Sequence, residues 1–193
     1  MDFAIANWVF KVFGDSKFFL VASKIITLFG EWWAVCSIII ILLAFKKTRK
    51  VGIYAGVACL LAFCFNNLFL KNIVQRERPF ETYEKFKSVC VLAGYNFPSG
   101  FSMASGHATA TMALGFSVGL QSKKWGWLTL LYPVFVGLTR LVLCVHYATD
   151  VLVGFCIGIC FAVASKHLLN FLNKLYLKRK GESHEKVNSS NQK

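Results

Sequence analysis

Six ionisable side chains recur at spacings that could support phosphoryl chemistry. They are Lys71, Arg78, His107, Arg140, His146 and Asp150. Three cations can form a cradle for an anion, and arginine offers forked donors that match phosphate oxygens. Two histidines can supply a nucleophile and an acid, and a carboxylate four residues from one of them can fix its tautomer. Such a set describes metal-free phosphoryl transfer through a phosphohistidine.

Helical spacing predicts which of these side chains share a face. Lys71 and Arg78 are seven residues apart, so they should project from one face of a helix that Pro79 ends. His146 and Asp150 are four residues apart at the start of a later helix. Each pair also has a plainer alternative. The two cations could be topogenic or could reach the membrane surface, and Asp150 could simply cap its helix.

A four-residue phrase occurs twice in the stretch NFPSGFSMASGHATA, residues 96–110. The first copy is Pro98-Ser99-Gly100-Phe101 and the second is Ala104-Ser105-Gly106-His107. A Ser-Gly turn that leads into a helix supplies backbone N–H groups and the positive end of the helix dipole. The stretch therefore predicts an anion-binding helix N-terminus.

The two copies differ in their chemistry. Phe101 can donate no proton, so the copy that ends in His107 is predicted to work, with Ser105 and Gly106 binding phosphate. The longer apolar run that starts at Phe101 would make the better membrane span, so a helix or turn is predicted to begin near Ser102, with His107 one turn below the surface. A register that ends at Phe101 remains the alternative and would leave the protein impaired.

Composition places these residues in a membrane protein. Of the 193 residues, 56% are hydrophobic and 16% are charged, and the mean hydropathy is +0.54. The net charge of +13 lies between apolar runs and in the tail. It therefore indicates topogenic charges and contacts to anionic lipid rather than to nucleic acid. We expect an all-α integral membrane bundle.

The apolar runs predict about five transmembrane helices. They cover residues 29–45, 51–70, 101–121, 125–140 and 148–172. Residues 1–28 are predicted to form an N-terminal segment of one or two amphipathic helices in the interface, with a poor first span as the alternative. Residues 29–175 would form the membrane domain, and residues 176–193 a polar, disordered tail.

Basic clusters predict the orientation of the chain. They follow the first, third and fifth predicted spans at residues 46–50, 123–124 and 174–180. The side that carries them, with the C-terminal tail, should be cytoplasmic. The candidate site would then lie on the extracytoplasmic side of the plasma membrane.

Three sequence blocks resemble those of the type 2 phosphatidic acid phosphatases, which are related to vanadium haloperoxidases. KNIVQRERP matches the pattern K-x6-R-P at Lys71, Arg78 and Pro79. TRLVLCVHYATD matches S-R-x5-H-x3-D, except that Thr139 replaces serine. ASGH resembles P-S-G-H, with Ala104 in place of proline. The resemblance covers about residues 50–165.

The resemblance implies a role for each site residue. His146 would be the nucleophile held by Asp150, and His107 the general acid. The phosphoryl oxygens would be bound by Lys71, Arg78, Arg140, Ser105 and Gly106. No metal or other cofactor is implied. Glu77, Glu81 and Glu84 could mimic a cation site, but pairing with the neighbouring Arg76, Lys85 and Lys87 is the preferred interpretation.

The same resemblance implies a lipid phosphatase. Its substrate would be a membrane lipid phosphate: undecaprenyl diphosphate, phosphatidylglycerophosphate or phosphatidate. The irregular second block supports the alternative of a catalytically impaired protein that binds lipid phosphates or acts as a scaffold.

Overall fold

The computed structural model describes residues 1–121 and 126–190, with the backbone alone for residues 181–190. Every regular element in these ranges is helical, as the sequence predicts. The α-helices are α1 (Asp2–Phe13), α2 (Lys17–Leu28), α3 (Trp32–Ala44), α4 (Arg49–Cys64), α5 (Lys71–Val74), α6 (Pro79–Thr82), α7 (Lys87–Ala93), α8 (Gly106–Gly119), α9 (Leu131–Val142) and α10 (Ala148–Ser190). A π-helix, Phe65–Leu70, joins α4 to α5, and Glu84–Phe86 and Gly126–Leu130 are 3-10 helices.

Helix α8 lies at the centre of the bundle. It packs against α4, α9 and α10, and α4 and α10 also contact each other. Small residues let helix backbones approach closely in a membrane protein. At the crossing of α8 and α10, a Cβ on Gly158 would lie 2.8 Å from the Ala113 nitrogen, the Met112 Cβ and the Thr109 carbonyl oxygen. The packing of α8 against α10 thus requires glycine at this position.

We expect Gly158→Ala to destabilise the protein by about 1–3 kcal/mol, the usual cost of overpacking a tight interface. Two of the three atoms that the new methyl group would meet belong to the α8 backbone, which cannot rotate away. Thermal unfolding in detergent would measure the effect. Gly56→Ala is the matched control, since its added Cβ would meet only Ile39 at 3.6 Å. Equal unfolding temperatures for the two variants would contradict this packing argument.

The described helices support fewer membrane spans than the five predicted. Arg49–Thr82 and Ala148–Lys180 are long and apolar enough to cross a membrane, and α2 with α3, bent by 46°, would make a third span. Gly126–Val142 is a shorter apolar helix. Helix α8 has 14 residues, about 21 Å at 1.5 Å per residue. That length is well below the ~30 Å hydrocarbon core of a bilayer.

The structure has no helix at Ser102, near which a helix or turn is predicted to begin. Helix α8 begins at Gly106, with Ser105 as its N-cap residue. Residues 95–105 contain no regular helix in the structure. Their backbone instead serves the site, because Ser102 N donates a hydrogen bond to the Arg76 carbonyl, 2.7 Å away, and Ser105 N donates to the Asp150 carbonyl at 3.1 Å.

The N-terminal segment forms two helices packed on the bundle. Helix α1 contacts α9 and α10, while α2 contacts α9 and α7. Leu20 of α2 is fully buried, as is Thr27 at the end of that helix. The first 28 residues therefore share a core with the remainder of the chain, and α2 pairs with α3 as a candidate span. The proposed division of the chain at residue 28 stays a prediction.

Helix α10 extends into the C-terminal segment, whose disorder stays a prediction. Helix α10 runs through residues 176–190, and residues 176–180 are exposed. Lysine, arginine and glutamate are good helix formers, so this polar sequence can continue a helix without burying a face. Residues 191–193 lie outside the described part of the chain.

Candidate active site

His146 lies in a short buried loop between α9 and α10. Its flanking residue Val145 and the nearby Leu143 are fully buried, in a cluster that includes Phe86 and Val89. The Nε2 atom of His146 lies 3.2 Å from Nη1 of Arg78. A guanidinium group can only donate, so Nε2 is the acceptor and the ring proton sits on Nδ1. This tautomer leaves the lone pair of Nε2 on the side of the cations.

The other ring nitrogen of His146 faces Ser102 and Asp150. Nδ1 is 3.3 Å from Ser102 Oγ and 3.7 Å from Asp150 Oδ2. Ser102 Oγ donates to the same carboxylate oxygen at 2.5 Å. The serine oxygen is therefore free to accept the Nδ1 proton, and it links the imidazole to the carboxylate. Burial lowers the pKa of His146 to about 3, so the ring is neutral at physiological pH.

Asp150 is completely buried and is bonded on both oxygens. Oδ2 also accepts from the Tyr147 backbone N–H at 2.8 Å, which caps the start of α10. Oδ1 forms an ion pair with Arg76 Nη1 at 2.8 Å. Arg76 in turn pairs with Asp2 at 2.7 Å. Asp150 therefore caps its helix. The same carboxylate lies beside the histidine, so capping does not exclude the predicted role of orienting the imidazole.

Ser102→Ala is expected to lower kcat about 10-fold or more while leaving KM nearly unchanged. The variant removes the only close hydrogen bond to Nδ1 among the described residues and leaves the direct Asp150 distance at 3.7 Å. Ser99→Ala is the matched control, since only the Ser99 backbone carbonyl contacts the site, through Arg78. Steady-state kinetics on one lipid phosphate would measure both. Unchanged kcat in Ser102→Ala would contradict a positioning role.

The first copy of the repeated phrase wraps around Arg78. The carbonyl of Gly100 accepts from Nε at 2.8 Å, and the carbonyls of Ser99 and Phe101 accept from Nη2 at 3.1 and 3.4 Å. Gly100 has a positive φ of 75°, which glycine adopts readily. The copy that ends in Phe101 therefore holds a cation in place, and its own side chains make none of these bonds.

The second copy of the phrase begins α8. Ser105 is the N-cap, its Oγ accepts from Ala108 N at 3.5 Å, and Gly106 and His107 are the first helical residues. A Cβ on Gly106 would meet no atom within 4 Å, so space is open beside the helix N-terminus. Asn66 supports the preceding turn, because its amide bonds both the N–H and the carbonyl of Ala104 at 3.2 Å.

Arg140 and Lys71 complete the cationic side of the site. Arg140 is 1% exposed; its Nη1 donates to Thr27 and Tyr95 at 2.8 Å, while its Nε has no partner among the described residues. Lys71 lies within electrostatic range of Arg78 and Arg140. An unpaired buried donor beside further cations suits a bound oxyanion.

The prediction that Lys71 and Arg78 share one helical face is wrong. Helix α5 ends at Val74, because Gln75 adopts a left-handed conformation. The chain is extended at Arg78, and Pro79 begins α6 instead of ending a helix. Proline is well suited to the first position of a helix. Lys71 and Arg78 remain within electrostatic range of each other across this turn.

His107 faces Glu31, a residue that the sequence reasoning missed. Its Nε2 lies 3.3 Å from Glu31 Oε1. Ser102, Arg76 and Asn66 were also missed as supporting residues. For Glu31 a signal exists in the sequence, because it is the only carboxylate in residues 16–76, a mostly apolar stretch.

Acidic residues elsewhere on this side pair with protein groups. Glu81 accepts from the Arg78 backbone N–H at 2.9 Å, and Glu84 pairs with Lys87 at 2.8 Å. Within residues 1–121 and 126–190, no group of three or more His, Cys, Asp or Glu side chains could hold a metal ion. Metal independence stays a prediction.

Comparisons with known proteins find relatives that are phosphatases. It is 29% identical over 131 residues to an undecaprenyl-diphosphatase of Sulfolobus acidocaldarius, covering 67% of this chain and 61% of the relative. It is 27% identical over 158 residues to the undecaprenyl-diphosphatase BcrC of Bacillus subtilis, covering 77% and 78%. The chain thus spans about three fifths of the length of the Sulfolobus relative.

A solved structure shares the fold. Aquifex aeolicus LpxE superposes with a TM-score of 0.69 at 22% identity, covering 83% of this chain and 94% of that one. A model of the PAP2 superfamily matches residues 51–174, which contain all eight of the predicted site residues. The three sequence blocks, the helical fold and this match agree, and the chain belongs to the PAP2 superfamily.

Proposed function

We propose that this protein is an integral membrane lipid phosphatase that works through a phosphohistidine without a metal. The observation that carries the proposal is the state of His146. Its Nε2 accepts a hydrogen bond from Arg78, while Nδ1 faces the Ser102–Asp150 pair. A neutral imidazole with its lone pair aimed at a group of cations is suited to attack a phosphorus atom.

The first step transfers the phosphoryl group to the protein. A bound phosphate would take over the hydrogen bond that Arg78 now gives to Nε2, since an oxyanion is the stronger acceptor. The Nε2 lone pair attacks phosphorus, a P–N bond forms, and the bond from phosphorus to the leaving oxygen breaks. His107 gives its proton to that oxygen. Lys71, Arg78, Arg140, Ser105 and the Gly106 N–H stabilise the charge on the three remaining oxygens.

The second step restores the protein. Neutral His107 takes a proton from a water molecule, whose oxygen attacks phosphorus. The P–N bond breaks, inorganic phosphate leaves, and His146 returns to its neutral form. The two histidines therefore begin the cycle in opposite protonation states, which predicts a bell-shaped pH profile.

Undecaprenyl diphosphate is the substrate that we favour. Two relatives, from Sulfolobus acidocaldarius and Bacillus subtilis, are undecaprenyl-diphosphatases. Phosphatidylglycerophosphate and phosphatidate are the alternatives. They carry the same terminal phosphoryl group, but on an alkoxide leaving group instead of a phosphate. The basic loops support a site on the extracytoplasmic side of the membrane, with the C-terminal tail in the cytoplasm.

A substrate panel with EDTA present would test the proposal. Purified protein in detergent should release phosphate from at least one of the three lipids, and chelation should leave the rate unchanged. Release that requires an added divalent cation would contradict the metal-free mechanism. Absence of release from all three lipids would favour the binding or scaffold alternative. We prefer an enzyme to a binding or scaffold protein because the irregular second block, Ala104 to His107, begins helix α8 beside the cations.

A further inference from the structure

The bend between α2 and α3 forms one wall of the site. Glu31 lies at this bend, outside residues 51–174 that match the family model, and its side chain is 29% exposed. Gly30 packs against His107, because a Cβ at residue 30 would lie 2.9 Å from Cδ2 of the His107 ring. Thr27, on the same segment, holds Arg140 at 2.8 Å. The N-terminal segment therefore contacts two of the residues that the mechanism uses.

Capping does not explain the Glu31 side chain. Glu31 is the N-cap residue of α3, yet its side chain makes no capping hydrogen bond. The carboxylate instead lies at ion-pair distance from His107, whose Nε2 is buried and has no hydrogen-bond partner among the described residues. A carboxylate placed beside an otherwise unpartnered imidazole nitrogen indicates a role that acts through that imidazole.

The other charges that face His107 oppose its protonation. Arg140 on α9 and Arg78 before α6 both lie within electrostatic range of the ring, and burial also disfavours an imidazolium. Glu31 lies beside the ring and favours the charged form. A general acid must carry its proton when the substrate arrives, so this histidine needs a compensating negative charge.

We propose that Glu31 is a positioning residue that orients the His107 imidazole and keeps it protonated for proton transfer to the leaving group. A bound phosphate would offset the charges of Arg140 and Arg78, and Glu31 would then decide the protonation of the ring. This inference rests on the proposed function for its catalytic meaning. Its physical content, the protonation of His107, can be measured without any turnover.

The test is a titration of His107 by NMR in detergent. The protein is labelled at the Cε1 carbon of its four histidines, and the His107 signal is assigned by its absence in His107→Gln. Titrations are run with and without inorganic phosphate. We expect the midpoint of His107 to be lower by about one pH unit or more in Glu31→Gln than in the wild-type protein, since a neighbouring carboxylate shifts a titration by that amount.

Two variants serve as controls for this titration. Glu31→Asp keeps the charge and should retain part of the shift. Glu84→Gln removes a carboxylate whose side chain is 86% exposed and should titrate like the wild-type protein. Equal midpoints in wild type and Glu31→Gln, or a His107 that stays neutral in phosphate-bound wild type, would overturn the proposal.

Kinetics separate this proposal from the proposed function. If the wild-type protein hydrolyses a lipid of the panel, the alkaline limb of the pH–rate profile should lie at lower pH in Glu31→Gln. The value of kcat should fall, and KM should change less. An unchanged limb would overturn the role of Glu31 and leave the phosphatase intact. A shifted NMR midpoint without hydrolysis by any protein would support the pairing of Glu31 with His107 and contradict the phosphatase.

Discussion

His146→Ala is expected to abolish phosphate release, with a loss on the order of 10⁴-fold or more. The variant removes the atom that forms the P–N bond. Among the described imidazoles, His146 is the one whose Nε2 accepts a hydrogen bond from Arg78 while its Nδ1 faces the Ser102–Asp150 pair. The cations and the helix N-terminus remain in this variant, so binding of the lipid phosphate should persist.

Rapid quench with labelled substrate would measure this effect directly. The wild-type protein should accumulate an acid-labile phosphoprotein, and His146→Ala should form none. His167→Ala is the matched control, because His167 is exposed on α10 and makes no contact with the site. Labelled phosphoprotein in His146→Ala, or equal losses in the two variants, would contradict the assignment of the nucleophile.

The second large effect is expected at His107. Loss of a general acid costs on the order of 10²–10⁴-fold in rate, so His107→Gln should lower kcat by that amount on phosphatidate, whose leaving group is an alkoxide. Phe101→Ala should change kcat little, because only the Phe101 carbonyl contacts Arg78, at 3.4 Å. Side-by-side kinetics would therefore decide between the two registers of the repeated phrase.

The leaving group provides an independent check on His107. An aryl phosphate releases a stabilised oxyanion that needs little protonation, so p-nitrophenyl phosphate should show a much smaller loss in His107→Gln. A merely structural defect would slow both substrates equally. Equal losses on both substrates, or activity that survives His107→Gln and is lost in Phe101→Ala, would overturn His107 as the acid.

Local sequence determined the family of the protein and supplied the candidates for its reactive groups. Long apolar runs predicted helices in a membrane, because burial of such runs in lipid requires the backbone to satisfy its own hydrogen bonds. The spacing of His146 and Asp150 predicted one helical face, but His146 lies in the loop before α10, and the two side chains come within 3.7 Å through that loop. The three blocks were enough to identify the family, which the match over residues 51–174 confirmed.

Element boundaries were harder to predict from sequence. The predicted number of spans and the predicted start of α8 rested on the lengths of apolar runs. Those lengths do not distinguish a lipid-facing helix from one surrounded by protein. Helix α8 can be shorter than the hydrocarbon core is thick because neighbouring helices surround it, with Gly158 of α10 in close contact. The break at Gln75, which separates Lys71 from Arg78, depends on a single left-handed residue that no periodicity reveals.

Only the tertiary structure decided how the reactive groups are supported. Asp2, Thr27 and Glu31 are distant in sequence from the residues they serve, and they reach the site because α1 and α2 fold back onto α9 and α10. The two copies of the repeated phrase look alike in sequence, yet one offers carbonyls to Arg78 and the other begins α8. Their roles differ because each copy acts through the residues that the fold brings next to its backbone. A local sequence pattern does not show which residues those are.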